Sequence, residues 1–572
     1  MHTLRVALAQ INTTVGDFEG NATRILEAAR EAAALEADVV AFPELAITGY
    51  PPEDLLIRDA FIEDARIALE RLAEDAKDLP PLVVGCVEYR HQLYNAAAVL
   101  HGGGVAGMYR KHSLPNYGVF DEHRYFQAGT ETPLFAIAGV EVGITVCEDI
   151  WYPGGPMRAQ ALGGASVILN INASPFHAGK SVARERMLQT RASDNGVAIC
   201  YVNQVGGQDE LVFDGNSFVV GPRGEVVARG ASMREDLLVV DIPVTEIRQA
   251  QLHDPRLRRE REGIAAIEPI LVTPGAPPAR APIPPRLDEP ADPTAEVYDA
   301  LVLGTGDYLR KTGFTDALVA LSGGIDSAIV AAIAVDAIGA EHVRGVAMPS
   351  RYSSEGSLAD ARALADLLGI ELVTLPIEPM HQAALDTLAR EFEGTTPGVA
   401  EENVQSRIRG ALVMALSNKT GAIVLTTGNK SEYACGYATL YGDMVGGFAV
   451  IKDVPKTLVY KLANHRNARG LVIPQATIDK PPSAELRPDQ LDTDSLPPYD
   501  VLDPIIEAYV EDDRPVEAIV ADGFEEATVR RVVDLINRNE YKRRQSPPGV
   551  KVTTRAFGRD RRLPLASRYR PY

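Results

Sequence analysis

Residues 274–293, PGAPPARAPIPPRLDEPADP, carry eight prolines. Each proline fixes φ and lacks an amide donor, so this density rules out a core helix or a central strand and reads as a semi-rigid, polyproline-like connector. It divides the 572-residue chain into about 270 residues before it and about 280 after it, each a plausible domain size. One hydrophobic core would not serve the whole length. The expected organisation is a domain over residues 1–270, a linker over 271–294 and a second domain over 295–572.

The composition, 46% hydrophobic and 24% charged, is that of an ordinary globular protein. A formal net charge of −21 argues against general nucleic-acid binding, which needs a basic face. No run approaches the roughly 18 apolar residues of a membrane helix. The opening MHTLRVALAQINTT lacks the basic and apolar regions of a secretion signal. Four cysteines, Cys86, Cys147, Cys200 and Cys435, show neither a disulfide framework nor paired metal-ligand spacing. The expectation is a cytoplasmic protein without nucleic-acid or membrane partners. From Tyr541 to Tyr572 ten Lys or Arg residues face one acid, Asp560. This basic tail either docks on an acidic surface of the same protein or a partner subunit, or meets a ligand rich in phosphate or carboxylate.

Both halves alternate short apolar runs with helical patterns, which points to α/β architecture. In the first half LRVALAQI, ADVVAFPEL, LPPLVVGCVEY, NAAAVL, VEVGITVCE, ASVILNINAS, VAICYVNQ and NSFVVG read as buried strands, and ATRILEAAREAAALEA as an amphipathic helix. In the second, ALVALSGG, VRGVAMPS, ELVTLPI and GAIVLTTGN are strands, with SAIVAAIAVDAIG and EGSLADARALADLLG as helices. Their order suggests a doubly wound, mainly parallel sheet.

ALVALSGGIDSA, from Ala317 to Ala328, is an apolar strand, a glycine turn and a helix start. Glycines allow close backbone approach, and free N–H groups at a helix N-terminus suit phosphate. An ordinary tight turn would account for Gly-Gly alone; two hydroxyls and a carboxylate beside it make the pattern more specific. No Walker lysine motif occurs, which disfavours a P-loop NTPase.

Ser322–Ser327, SGGIDS, resembles the pyrophosphate-binding loop of the N-type ATP pyrophosphatases. That resemblance implies a Rossmann-like domain and AMP-forming chemistry, with Ser322, Gly323, Gly324, Asp326 and Ser327 on ATP and magnesium near Asp326. LTTGNKSEY, IDKPPSAELRPDQLDTDSLPPYDVLDP, YGD, VPKT and the C-terminal YKRRQSPPG resemble segments of NAD synthetases. By that resemblance Thr427 contacts ATP, Glu432 serves the metal and the dinucleotide, and Asn403, Tyr437 and Lys542 contact deamido-NAD. The bland alternatives are a strand end for Thr427, packing for Tyr437 and an acid partner for Lys542.

A lone cysteine ending an apolar strand is usually core, and Cys86, Cys200 and Cys435 are read so. Cys147, in VCEDIW, differs because two other strand ends carry Glu44 and Lys111. A carboxylate, an ammonium and a thiol in one pocket are what amide hydrolysis through a thioester needs. Glu44 would be the general base, Cys147 the nucleophile, and Lys111 would favour the thiolate and stabilise the oxyanion. The adjacent acids need not suppress the thiol if their side chains point away or bind substrate. AFPEL, YRKHSLPN and GITVCEDIW resemble the Glu-Lys-Cys motifs of the nitrilase superfamily, which implies an αββα sandwich. Within its glutamine amidohydrolases, Tyr117, Ser174 and Lys180 would hold glutamine. Ser174-Pro175 equally suits a turn and Lys180 a solvated charge, while Glu122 is either an additional active-site acid or a surface carboxylate.

A glutaminase joined to an AMP-forming amidating domain resembles the glutamine-dependent NAD synthetase family over nearly the whole chain. The resemblance implies ATP and Mg2+ with no tightly bound organic cofactor, small-molecule substrates, and a homo-oligomer. Another AMP-forming amidotransferase with a different carboxylate acceptor remains open on the residues alone.

Overall fold

The computed structural model describes residues 2–276 and 279–569. It divides into two compact units, Met1–Gln208 with Val212–Ala291, and Asp209–Leu211 with Asp292–Tyr572.

In the first unit the strands in chain order are β1 (Thr3–Gln10), β2 (Val39–Ala41), β3 (Leu82–Tyr89), β4 (Leu93–His101) and β5 (Gly104–Arg110). They continue with β6 (Leu134–Ile137), β7 (Val140–Val146), β8 (Val167–Asn172), β9 (Ala198–Asn203) and the short ribbon β10 (Val205–Gln208) and β11 (Leu211–Asp214). Last come β12 (Phe218–Val220), β13 (Val226–Arg229), β14 (Asp236–Pro243) and β15 (Ile270–Leu271). One sheet runs β14-β1-β2-β3-β4-β5 and the other β13-β12-β9-β8-β7-β6-β15. Alternation along each strand sends one residue set inward and the other out. Leu4, Val6 and Leu8 of β1 thus share an apolar layer with Val142, Ile144 and Val146 of β7 and Leu169 and Ile171 of β8. The opposite face of the first sheet buries Ile25, Leu26 and Ala29 of the helix Phe18–Ala34 and Leu69 and Leu72 of Asp59–Asp75. Beyond the second sheet lie Met157 and Ala161 of Pro156–Gly163 and Leu188 and Ala192 of Lys180–Asn195. The layers are therefore αββα.

The proline-rich segment does more than space the two halves. Arg5 is almost wholly buried and pairs with Asp241 through Nε at 2.7 Å. Its Nη2 also donates to Ala281 O at 2.7 Å. Arg280 Nη1 donates to Asp38 Oδ1 at 2.9 Å and the Ile283 amide to Asp241 Oδ2 at 2.9 Å. Residues 280–283 are held against the first unit: buried charges on β1 and β14 need partners, and this segment supplies them.

In the second unit β16 (Ala317–Ala320), β17 (Val343–Ala347), β18 (Glu371–Thr374), β19 (Ile423–Thr426) and β20 (Phe448–Ala449) form a parallel sheet ordered β18-β17-β16-β19-β20. The helix Val399–Thr420 buries Ile408 and Val413 against Leu318, Val346 and Val424. The helix Ile325–Ile338 is apolar nearly all round and packs against Pro293–Thr312 and Lys456–Ala468. The chain winds from β16 to β17 and β18 on one side, then to β19 and β20 on the other. The strand order therefore reverses between β16 and β19, and open α/β sheets bind ligands in the crevice at such a point. A helical cluster, Tyr499–Ile506, Val516–Ala521 and Glu526–Arg538, completes the unit and buries Ala434 and Cys435. No helix among the described residues is long and apolar enough to cross a membrane.

Candidate active sites

Three strand ends of the sandwich converge. Glu44 lies three residues past β2, in a turn where Leu45 takes φ +48°. Lys111 directly follows β5, and Cys147 directly follows β7. All are buried: Glu44 and Lys111 are 0% exposed and Cys147 3%. Cys147 has φ +44°, a left-handed conformation that costs energy for a residue with a Cβ. It opens a short 3₁₀ turn, Cys147–Trp151, so the thiol leaves the pleat of the strand at a sharp corner.

Lys111 Nζ donates to Glu44 Oε1 at 2.7 Å and to Glu122 Oε1 at 2.8 Å. Asn95 Nδ2 donates to Glu44 Oε1 at 2.7 Å, and the Ala173 amide, just past β8, to Glu44 Oε2 at 3.1 Å. The Tyr50 hydroxyl donates to Glu122 Oε1 at 3.2 Å. One ammonium thus lies between two carboxylates inside the protein. Burial works against the Lys111 charge, yet Glu122 and Glu44 outweigh it and push its pKa up. Burial also pushes the Glu122 carboxyl up, against the pull of Lys111. Of the two readings of Glu122, the surface carboxylate is excluded, since it is 5% exposed.

Burial, then Glu44, push the Cys147 thiol well above its ordinary range; Lys111 opposes them, and Glu148 and Glu122 add to the rise. Lys111 pulls toward the thiolate, while burial and the neighbouring carboxylates pull the other way. A thiol held up in this way becomes a nucleophile only when a neighbouring group takes its proton.

The two acids beside Cys147 turn to different tasks. Glu148 accepts the Tyr117 hydroxyl on both oxygens at 3.0 Å, and Lys180 acts on its charge. Asp149 turns into the protein and binds backbone. Tyr117 is exposed, Ser174 is buried with its amide donating to Asn203 Oδ1 at 2.9 Å, and Lys180 Nζ donates to Pro175 O at 2.6 Å. Lys180 begins the helix Lys180–Asn195, so it is not a free solvated charge.

On the parallel sheet, SGGIDS follows β16. Gly323 has φ +80°, and a Cβ there would stand 2.3 Å from Ser357 O, so glycine is required by both conformation and space. Gly324 caps the helix Ile325–Ile338. The Gly324 amide donates to Ser322 Oγ at 3.2 Å, and Ser327 Oγ to Gly324 O at 2.9 Å. Asp326, in the first turn, accepts Asn429 Nδ2 at 3.0 Å and pairs with Lys456. Asn429 caps the helix Lys430–Cys435 by exchanging bonds with Glu432, at 3.0 and 3.1 Å. Thr427 directly follows β19, the other strand at the switch point.

Burial, with Asp326 adding to it, pushes the Glu432 carboxyl well up, and Lys456 works against the rise. Asp326 and Glu432 offer the carboxylate oxygens that a hard divalent cation takes, with the Lys456 ammonium at present paired to Asp326. Among the described residues no group of three or more His, Cys, Asp or Glu could hold a metal by itself. Asn403 Oδ1 accepts Thr439 Oγ1 at 2.7 Å, and Lys542 Nζ donates to Gly436 O at 2.7 Å and Ala438 O at 2.8 Å. Asn403, Tyr437 and Lys542 therefore share one turn, 436–439. Lys542 bonds these carbonyls, while others of the basic tail do meet acids of the same unit: Arg543 pairs with Glu540 and Lys551 with Asp560.

Sequence reasoning assigned no role to Asn95, Tyr50, Asn429 or Lys456. The signals were LTTGNKSEY, which contains Asn429, and VPKT, which contains Lys456, each quoted only as a segment; that Lys456 meets Asp326, 130 residues earlier, has no local trace.

A sandwich with acid, ammonium and thiol at its strand ends, carried on one chain with a phosphate loop at a sheet's switch point, defines a class: enzymes that release nitrogen from an amide and transfer it in a nucleotide-dependent step. The carbon-nitrogen hydrolase model matches residues 5–251 and the NAD synthase model residues 297–546. The chain is 47% identical to the glutamine-dependent NAD(+) synthetase of Thermotoga maritima, over 100% of both chains. It is 46% identical to that of Aquifex aeolicus, over 99% of this chain and 100% of the relative. A solved glutamine-dependent NAD+ synthetase from Acinetobacter baumannii, in complex with ADP, is similar with a TM-score of 0.74 and 40% identity, covering 100% of both chains. The chain belongs to the glutamine-dependent NAD(+) synthetase family.

Proposed function

We propose that this protein converts deamido-NAD to NAD with ATP, taking nitrogen from glutamine. The observation that carries the first half is the Lys111 ammonium held between Glu44 and Glu122 beside the Cys147 thiol. Glu44 takes the thiol proton as Sγ attacks the glutamine amide carbon, and Lys111 meets the charge that grows on the carbonyl oxygen. The C–N bond breaks, the proton passes to the leaving nitrogen, and ammonia departs. Water activated by Glu44 then cleaves the thioester to glutamate. Glu122 holds Lys111 in place. Tyr117, Ser174 and Lys180 line the glutamine site, with Glu148 supplying a carboxylate for the α-ammonium.

In the second half the deamido-NAD carboxylate attacks the α-phosphorus of ATP. Pyrophosphate leaves onto the Ser322–Ser327 loop, where Ser322, Gly323, Gly324, Asp326 and Ser327 meet the phosphates and Thr427 the nucleotide. Ammonia attacks the acyl adenylate and AMP leaves. Asn403, Glu432, Tyr437 and Lys542 contact the dinucleotide. Magnesium, held by Asp326 and Glu432, supplies neutralisation of the phosphate charge. We also read the protein as a cytoplasmic homo-oligomer; its four cysteines are free thiols.

An assay with glutamine, ATP and deamido-NAD tests this reading: NAD, AMP, pyrophosphate and glutamate form in equal amounts. Glutamate release with no AMP in the presence of deamido-NAD would reject the acceptor. Tyr117→Phe removes a hydroxyl bonded to a carboxylate, so KM for glutamine rises about tenfold while ammonia-supported synthesis is unchanged. An unchanged KM would take Tyr117 out of the glutamine site.

A further inference from the structure

Asp149 stands two residues after Cys147, fully buried in the same 3₁₀ turn. Its Oδ1 accepts the backbone amides of His112 at 3.1 Å and Ser113 at 2.8 Å, the two residues that follow Lys111. Its Oδ2 accepts the amide of Val146 at 3.0 Å, the residue before Cys147. The same oxygen takes the Tyr109 hydroxyl at 2.7 Å, two residues before Lys111. We infer that Asp149 is a positioning residue of the thiol site: its carboxylate ties the residues around Lys111 to the corner that presents Cys147, and so sets the distance from ammonium to sulfur.

The chemistry of the four partners favours a carboxylate over any other side chain of this size. All four are donors, three of them backbone amides that cannot turn away. An ionised carboxylate is acceptor-only and answers all four, each as a charge-assisted bond. An acid placed for general solvation would face water; this one touches none of the exposed surface. Neither segment carries its own register to the other. Lys111 follows an edge strand of one sheet and Cys147 an inner strand of the second, and Asp149 joins them across 36 to 40 residues of sequence. Reacting atoms need their geometry held within about half an ångström, and neighbouring bonds to supporting groups commonly provide it.

The inference rests on the glutaminase reading, and its test separates the two. Asp149→Asn keeps the shape, but whichever way the amide lies, its NH2 faces at least one backbone N–H. We expect kcat for glutamine hydrolysis to fall on the order of 10²-fold, the cost of a misplacement of about 1 Å. KM for glutamine should stay within about threefold, because the loss falls on the transition state. Ammonia-supported NAD formation by the same preparation should be unchanged, which reports that the chain is folded. Wild-type protein that releases no glutamate from glutamine would reject the glutaminase reading itself. Active wild type with Asp149→Asn keeping its glutamine kcat within about twofold overturns the positioning role. So does a parallel fall of glutamine- and ammonia-supported rates, the mark of a purely structural residue. Should Asp149→Asn not accumulate as folded protein, Tyr109→Phe decides. It removes one donor and leaves the carboxylate in place, so kcat falls about fivefold at constant KM; an unchanged kcat overturns the inference.

Discussion

Replacing Cys147 by alanine is expected to remove glutamine-supported NAD formation while leaving the ammonia-supported rate near that of wild type. Loss of a nucleophile that works with a base and an oxyanion stabiliser costs on the order of 10⁶-fold in comparable triads, because the remaining groups have nothing to activate. The substitution is small in structural terms. Cys147 packs among Val146, Ile144 and Ile171 in the layer between the sheets, and alanine leaves only a sulfur-sized gap. The φ of +44° is no easier for alanine, so strain is carried over and the turn has no new reason to move. The second unit has its own sheet, core and phosphate loop. Parallel rate measurements with glutamine and with ammonium salts read the outcome. Loss of both rates in folded protein would contradict the division of labour between the two sites.

Asp326→Asn should instead abolish both rates together. Asp326 is the meeting point of the Asn429 amide and the Lys456 ammonium, and its charge raises the Glu432 carboxyl. Removing that charge takes away a candidate magnesium ligand and leaves Lys456 with Glu432 and Asp492 as near carboxylates. Loss of one preorganised electrostatic group of this kind costs on the order of 10²–10³-fold. Glutamate release, measured without ATP, is the control and should continue. A variant that still forms NAD from ammonia at the wild-type rate would remove Asp326 from the chemistry. Together the two substitutions give opposite patterns, one selective for the nitrogen source and one blind to it.

Much of this was legible in the residues. Strand periodicity located the sheets that carry both sites, since apolar runs such as VEVGITV and ALVA have few other uses. Glu44 stood out because it ends an apolar run with a charge, and Lys111 because it stands where a strand pattern stops and a loop begins. SGGIDS was legible because a glycine turn, two hydroxyls and an acid are all local. What sequence could not carry was contact at long range. β14, DLLVVDIP, pairs antiparallel with β1, with Val240 opposite Val6, yet no nearby signal joins residues so far apart. The helix Asp59–Asp75 was missed because its polar face is rich in acids and arginines and its buried face is only Phe61, Ala65, Leu69, Leu72 and Ala73. The proline-rich segment read as a spacer because prolines suggest stiffness, while Arg280 and the Ile283 amide reveal their partners only in three dimensions. The acids beside Cys147 posed the sharpest question. Their opposite orientations, Glu148 toward Tyr117 and Asp149 toward backbone amides, depend on one left-handed residue that no pattern announces.

In the proposed mechanism an acid and an ammonium make one buried sulfur attack an amide. The most direct measurement is acid quenching of wild-type protein during glutamine turnover, followed by peptide mass analysis for a γ-glutamyl thioester. The adduct should sit on the peptide containing Cys147, and on none of those with Cys86, Cys200 or Cys435, which are buried away from Glu44 and Lys111. Steady glutamate release with no adduct on Cys147, or with the adduct on another cysteine, would contradict the account.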